Sequence, residues 1–519
     1  MDDVTGSPPL SKRDWSAIAL LVVLSGLIHV WLLAHTEVPA RDCIGFVRYA
    51  WRLEHHPWPE VMRTSEVHPG YPVAIHLAKP LVAWFYHEKD PLLMERSAQL
   101  VSSVFGLLLI LPMYFLGREL FSGRIGFWGA LLFQCLPAAG RALSDGLSEA
   151  TFFFFFAMAA WQAVRGLRTG QIGAFALCGS FGALAYLTRP EGLLIVLATV
   201  LAMALGFAVR LWPQPWKRGL ACTSVLVGCA IVVGCPIYFV TGKFSPKPAV
   251  NDVVGAAHSP LRTVGPLLAV TGTEKSNRQG MVLALTESMR AFNYAGWVPM
   301  LLGVWWNRGR IARGPGHWVT LAAAGGICYL MWRVASIEGY LSDRHTLVLV
   351  FFGIFWMVAG LELLPGKLSA LLVWFRWNRM ATWCKAAHAP IVLLALSAAL
   401  CLPRTLQRLH YNRGGFREAG IWLAEHSTYA DEILDPYCWS HYYAGRVFIE
   451  GQDTSGEIDE AHVPVTYVVL EEEAKSPHPN LPEVTKAKEK VQQPHAEVYR
   501  WKGYRGKDYA EVAVYRIGD

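Results

Sequence analysis

Charge is what this chain has least of: Asp, Glu, Lys and Arg make up 17% of its 519 residues, where a soluble protein carries about 25%. That shortage argues against a soluble globular enzyme. The net charge of +7 is modest and is not gathered into one basic face, so nucleic-acid binding is not indicated. Cys pairs at zinc-site spacing are missing, and most of the ten Cys lie within apolar runs, where a thiol acts as a small hydrophobe. Only Cys43 and Cys438 fall clearly in the regions expected on the outer side. A disulfide between them is one reading, and spacing alone does not set connectivity. Internal repeats, which would point towards a transporter, are lacking too.

What the chain has instead is apolar length. Hydrophobic residues reach 53%, in runs of roughly 15 to 22 residues, near the ~20 needed to cross a hydrocarbon core as a helix. In lipid the backbone must satisfy its own hydrogen bonds, so these runs are expected to be helices. The sequence predicts about eleven spans: 15–34, 98–116, 125–139, 147–164, 172–188, 191–210, 219–240, 293–306, 317–334, 345–363 and 390–403. The first is read as an uncleaved anchor, since it is longer than the apolar stretch of a signal peptide. The 21 Trp and 19 Tyr suit two interfacial belts.

Basic residues mark alternate connections: Lys12 and Arg13, Arg118 and Arg124, Arg165 and Arg168, Lys217 and Arg218, then Arg308, Arg310 and Arg313, and Lys367, Arg376, Arg379 and Lys385. By the positive-inside rule these connections face the cytoplasm. The amino terminus is then inside and the carboxyl terminus outside. Three outer regions are large: 35–97, 241–292, and the tail after Arg404. The tail changes composition, with a helix expected over 416–426 and strands over 432–435, 465–470, 496–501 and 511–517. The expected division is a transmembrane unit, 1–403, and a small extracytoplasmic α/β domain, 404–519.

Several residues in the outer regions are candidates for chemistry. Asp42 sits about ten residues beyond the first span, where it could take a proton from an attacking hydroxyl. It could equally be an interfacial acid paired with Arg41 or Arg48. In the same loop, His68-Pro69-Gly70-Tyr71-Pro72 is stiffened by its prolines. His68 then either aims into an outer cleft or only opens a helix, and Glu66 is a second acid or a solvated one. Arg141, Arg189, Arg333 and Arg344 lie in short outer turns that should avoid basic residues. Guanidinium suits a phosphate there. The local alternatives are Arg141 with Asp145, Arg189 with Glu191, and Arg344 with Asp343. Asp145 and Glu149 share a helix face at the start of the fourth span. They either favour the helix dipole or help hold an acceptor; two acids are a weak metal signal. His29, within the first span, is read as a buried hydrogen-bonded residue.

Taken in order, these motifs resemble a known family. The acid after the first span, His68-Pro69, the run 143–149 (LSDGLSE) and the run 187–192 (LTRPEG) are similar to membrane glycosyltransferases of the GT-C fold. The likeness extends to 117–121 (GRELF) and 342–345 (SDRH). The nearest branch is the bacterial one related to protein O-mannosyltransferases and aminoarabinose transferases, the family 39 type. The resemblance implies an all-α polytopic membrane protein carrying a sugar donor on a polyprenyl phosphate, and an acceptor hydroxyl that attacks with inversion. It implies Asp42 as the base, the four arginines on the donor phosphate, and Asp145, Glu149 and Tyr71 in acceptor or secondary roles. It calls for no cofactor and no resident metal. Two positions depart from the pattern. Relatives that act on proteins have Asp-Glu where this chain has Asp42-Cys43, and His-Pro-Pro where it has His68-Pro69-Gly70. Both departures bear on the acceptor (glycolipid, lipopolysaccharide or protein) more than on the chemistry.

The expected setting is the cell inner membrane. Two other classes stay open. A transporter or lipid flippase would place charges near the bilayer midplane, whereas the charges here sit mainly at span ends. An inactive sensor would turn Asp42 away from any cavity.

Overall fold

The computed structural model describes residues 10–88, 90–212, 214–246, 274–338, 341–449, 465–471, 482–505 and 508–518. The helices begin with α1 (Lys12–Ala34), whose entry is fixed by a reciprocal cap between Ser11 and Asp14. There follow α2 (Arg41–His55), α3 (Trp58–Thr64), α4 (Gly70–Phe85), α5 (Asp90–Leu108), α6 (Ile110–Leu120), α7 (Gly123–Cys135), α8 (Pro137–Ala142), α9 (Glu149–Thr169) and α10 (Ile172–Thr188). A 3-10 turn, Pro190–Gly192, leads into α11 (Leu193–Ala208) and α12 (Trp216–Thr241). Beyond 247–273, which lie outside the described residues, come α13 (Glu274–Ala291), α14 (Trp297–Trp306), α15 (Arg308–Arg313) and α16 (Pro315–Glu338). A second 3-10 turn, Asp343–Thr346, opens α17 (Leu347–Trp374), followed by α18 (Asn378–Lys385) and α19 (Ala389–Thr405).

All eleven expected spans appear as helices, but they are not equal. Seven are long and apolar enough to cross a membrane, and three more, α10, α14 and α19, are apolar but shorter. The segment expected at 293–306 is helical only from Trp297. Ten residues rise about 15 Å, half of a hydrocarbon core. The expected 125–139 span ends as α7 at Cys135, because Pro137 starts a new short helix.

Side chains sort the helices by position. α17 is buried on all sides from Leu347 to Gly360 and forms the axis of the bundle. The aromatic run of α9 packs on it, with Phe153 stacked on Phe351 and Phe156 edge-on to it. Of that run, Phe152, Phe153 and Phe156 are fully buried. α1 and α12 instead leave Val23, Leu27, Val30, Val232 and Phe239 exposed, the pattern of helices facing lipid. α6 and α7 approach closely where Gly117 meets Gly126; a Cβ on Gly117 would lie 2.6 Å from the Gly126 Cα. Small residues permit such contact between membrane helices.

The tail folds as anticipated. Helix α20 (Gly414–His426) is followed by β1 (Glu432–Leu434), α21 (Trp439–Tyr443), β2 (Val465–Glu471), α22 (Pro482–Lys490), β3 (His495–Arg505) and β4 (Asp508–Ile517). The sheet order is β1-β2-β4-β3, with β1 and β2 parallel and the other pairs antiparallel. Alternation along β4 sends Val512 and Val514 to one face and Ala513 and Tyr515 to the other.

The tail does not hang free. Its Phe416, Tyr437, Trp439 and Tyr442 share one buried cluster with Val38, Cys43, Val47 and Met94 from the first outer region. The Trp439 indole donates to the Pro39 carbonyl at 2.9 Å, and the Tyr443 hydroxyl donates to Glu95 at 2.9 Å. Cys43 and Cys438 are both buried and no disulfide joins them, so the disulfide reading is not realised.

Candidate functional site

Four chain reversals meet at one end of the bundle. They are the start of α2, the 143–149 turn, the turn after α10 and the 3-10 turn before α17. Each brings a charged side chain that its own helix cannot satisfy. Asp42, in the first turn of α2, accepts from Arg344 at 2.5 Å across 302 residues of sequence. Arg344 also lies 3.7 Å from the Glu149 carboxylate. That carboxylate accepts from Arg189 at 2.7 Å, and Arg189 reaches Glu191 at 3.2 Å. Asp42, Arg344, Glu149, Arg189 and Glu191 therefore form one continuous row of alternating charge.

The row is graded in exposure. The Glu149 side chain is 2% exposed and that of Asp42 is 54% exposed. A fixed anchor thus lies inside and a solvent-facing acid outside. Glu149 opens α9, where the helix dipole favours a carboxylate. One of its oxygens, Oε2, is buried without a hydrogen-bond partner. Burial works against charge on Arg189, but Glu191 and Glu149 more than offset it and hold its pKa above the ordinary guanidinium range.

The 143–149 turn is held from both sides. Below it, His29 Nδ1 meets Ser144 Oγ at 2.7 Å, which gives the intramembrane histidine its partner. Above it, Gly146 takes a left-handed conformation at φ +67°, with Cys43 Sγ 2.8 Å from where a Cβ would stand. Burial first, and then Glu95, Asp145 and Asp42, push the Cys43 thiol well above its usual pKa. Asp145 is bonded by His410 Nε2 at 2.8 and 3.0 Å.

The expected site residues thus divide. Asp42, Glu149, Arg189 and Arg344 come together, with Asp145 close by. Arg141 lies on α8 and Arg333 on α16. His68 is buried and turned elsewhere, bonded to Ser245 Oγ at 3.0 Å and edge-on to Tyr186. Glu66 is exposed at the surface. The Tyr71 hydroxyl donates to the Ala98 carbonyl at 2.9 Å and lies 2.9 Å from Ser102 Oγ, fastening α4 to α5. Its burial pushes the phenol pKa well up. The side chain of Asp343, the local alternative partner of Arg344, lies outside the described ones.

His410 went unnoticed in the sequence because the tail carried no catalytic signature. A signal was present: a histidine a few residues past the last span, followed by 411–415 (YNRGG). Both His410 and Asn412 adopt positive φ there. Among the described residues, no three His, Cys, Asp or Glu side chains converge as metal ligands would.

Comparison with known proteins agrees with this architecture. Residues 78–235, from within α4 to within α12, match the family model described as dolichyl-phosphate-mannose-protein mannosyltransferase. The fold matches that of ArnT from Cupriavidus metallidurans bound to undecaprenyl phosphate, with a TM-score of 0.60 and 12% identity over 97% of this chain and 98% of that one. It also matches the archaeal oligosaccharyltransferase AglB from Archaeoglobus fulgidus, in complex with an inhibitory peptide and a dolichol-phosphate. There the TM-score is 0.56 and the identity 13%, over 96% of this chain and 74% of that one. A comparison with curated protein sequences finds no match. At such identities the structural likeness is one of fold. The fold is thus that of these multi-pass membrane glycosyltransferases of GT-C architecture, and the segment 78–235 is similar to the mannosyltransferase family model.

Proposed function

We propose that the chain moves a sugar from a polyprenyl-phosphate donor to an acceptor hydroxyl with inversion, using Asp42 as base and Arg344 and Arg189 on the leaving phosphate. The observation that carries this is the 2.5 Å contact between Asp42 and Arg344, in line with Glu149 and Arg189 at one end of the bundle. In the step itself the acceptor proton passes to an Asp42 oxygen. The acceptor oxygen bonds to the anomeric carbon, and the electron pair of the broken C–O bond leaves on the phosphate. Guanidinium groups fixed beside that phosphate stabilise the charge as it develops, which is often the largest single contribution to catalysis. Asp42 is the exposed end of the row, where a soluble or interfacial hydroxyl can reach it.

Glu149 positions Arg189 and, more distantly, Arg344. A phosphate arriving at Arg344 competes with Asp42 for the guanidinium and releases the carboxylate for proton transfer. In this reading the reaction uses no resident cofactor or metal. The row lies on the extracytoplasmic side of the cell inner membrane, and 404–519 form an extracytoplasmic domain seated above it. Asp145 and its partner His410 border the acceptor side. Arg141 and Arg333 are left as outer arginines that a long phosphate-bearing lipid could meet.

The test is incubation of purified protein with a panel of polyprenyl-phosphate sugars and hydroxyl acceptors. Release of polyprenyl phosphate and an inverted anomeric configuration in the product, read by NMR, are expected. Movement of the intact lipid-linked sugar across a bilayer without cleavage would instead favour the flippase reading and overturn this one.

A further inference from the structure

A second site lies at the other end of the bundle, where α1 begins. There Arg118 stands 3.8 Å from Asp14, and the Tyr114 hydroxyl donates to the same carboxylate. The 23 residues of α1 separate this end from the Asp42 row by about 35 Å. Between the α6–α7 turn and α15 opens a cleft of about 610 Å³, lined by Glu119, Phe121, Arg310, Arg313 and His317. That volume is in the range of small-ligand pockets.

Its charge is positive in effect. Arg310 and Arg313 make no ion pair among the described residues, and both are exposed. The one acid in the lining, Glu119, is already engaged by Arg168 on α9. The Arg310 guanidinium lies over the Phe121 ring at 5.7 Å. His317 supplies an independent sign of a missing ligand. It is 4% exposed, and its Nδ1 is buried with no hydrogen-bond partner. A buried polar atom left without a partner is destabilising.

The surroundings say where the ligand comes from. On α14, which leads into α15, Val298, Leu301 and Trp305 are exposed, and Arg308 lies 4.7 Å over the Trp305 ring. Exposed aliphatic residues ending in a Trp–Arg pair mark the level where acyl chains give way to headgroups. We propose that this cleft binds the phosphate headgroup of an anionic bilayer lipid. Arg310 and Arg313 grip the phosphate, and His317 Nδ1 meets a polar headgroup atom. Two guanidinium groups suit a phosphate oxygen pair better than a zwitterionic surface does. The sugar-transfer reading is not needed for any part of this.

The experiment uses full-length protein in phosphatidylcholine micelles, titrated with short-chain phosphatidylglycerol and followed by thermal unfolding. A saturable upward shift of the unfolding midpoint is expected. The Arg310→Gln/Arg313→Gln variant should weaken the apparent affinity at least about tenfold, since each charged hydrogen bond is worth 1.4 kcal/mol or more. Its midpoint in phosphatidylcholine alone shows that it folds. Lys367→Gln/Arg379→Gln removes the same charge elsewhere and should leave the affinity unchanged. Equal weakening in both variants would reduce the effect to general charge and overturn the proposal. An equal shift with inorganic phosphate at matched concentration would overturn the lipid source.

Discussion

Removing Arg189 should expose how the charged row is built. Glu149 is 2% exposed and depends on Arg189 at 2.7 Å, with Arg344 second at 3.7 Å. Removing one partner of a fully buried pair costs about 3–5 kcal/mol. Here the loss is smaller for two reasons. Arg344, at 3.7 Å against 2.7 Å, still supplies about two-fifths of the combined Coulomb attraction, and the Arg189 side chain is 15% exposed. Arg189→Met should therefore cost about 2–3 kcal/mol, much of it the lost charged hydrogen bond. Glu149→Leu should cost less, about 1–2 kcal/mol, because Arg189 retains Glu191 at 3.2 Å and Arg344 retains Asp42. The double variant has no buried unpaired carboxylate and should fall short of the sum by about 1 kcal/mol or more. Denaturation of purified protein by SDS in mixed micelles measures all four corners of the cycle. Additivity within about 0.5 kcal/mol would mean that the two groups are not coupled, and the row as described would be wrong.

Three other expectations follow from single contacts. A Cβ at Gly70 would lie 2.8 Å from both the Leu187 carbonyl oxygen and Thr188 Oγ1; Gly70→Ala should destabilise by about 1–3 kcal/mol in the same titration, whereas Gly45→Ala, with open space around it, should be near neutral. His410→Ala removes both bonds to Asp145 and should quicken proteolysis between 406 and 414, with no change expected if the tail is held by its apolar cluster alone. In the tail, the Thr428 backbone N–H and hydroxyl donate to Asp431 and hold its pKa below the usual carboxylate range. A lowered folded-state pKa adds stability that is complete above the ordinary carboxylate value and is lost as pH falls through the lowered one. Wild type should thus unfold at a higher temperature than Asp431→Asn near neutral pH, and the two should converge below about pH 3; a gap that persists in acid would rule out this linkage.

Much of the fold could be read from the sequence because the signals were local. Apolar length located a helix at each of the eleven expected spans, though not α13 (Glu274–Ala291), which fell in an expected outer loop, and alternation located the strands of the tail. Failures came where contact distance mattered. The shortness of α14 was hidden because 293–296 are apolar enough to extend the run but turn instead, with Asn293 and Tyr294 at positive φ. Within the site, position at span ends brought out Asp42, Glu149, Arg189 and Arg344, since buried loop ends must pair their charges. The same rule could not separate them from Arg141 and Arg333, which occupy similar places in the sequence. His68 stood out because prolines frame it, and in the structure its Nε2 meets Ser245, while the Tyr71 hydroxyl meets Ala98 and Ser102. A glycine at 70 has a physical reason in the carbonyl of Leu187 lying against it. His410 needed the tail's docked position, which no local pattern encodes.

The central claim is that Asp42 takes the acceptor proton beside guanidinium groups that hold a lipid-borne phosphate. Single-turnover transfer from a polyprenyl-phosphate sugar by wild type and Asp42→Asn tests it most directly. The account predicts a fall in rate of about 10²–10⁴-fold with donor affinity changed by no more than a few fold, because Arg344 and Arg189 remain. An unchanged rate in Asp42→Asn would contradict it.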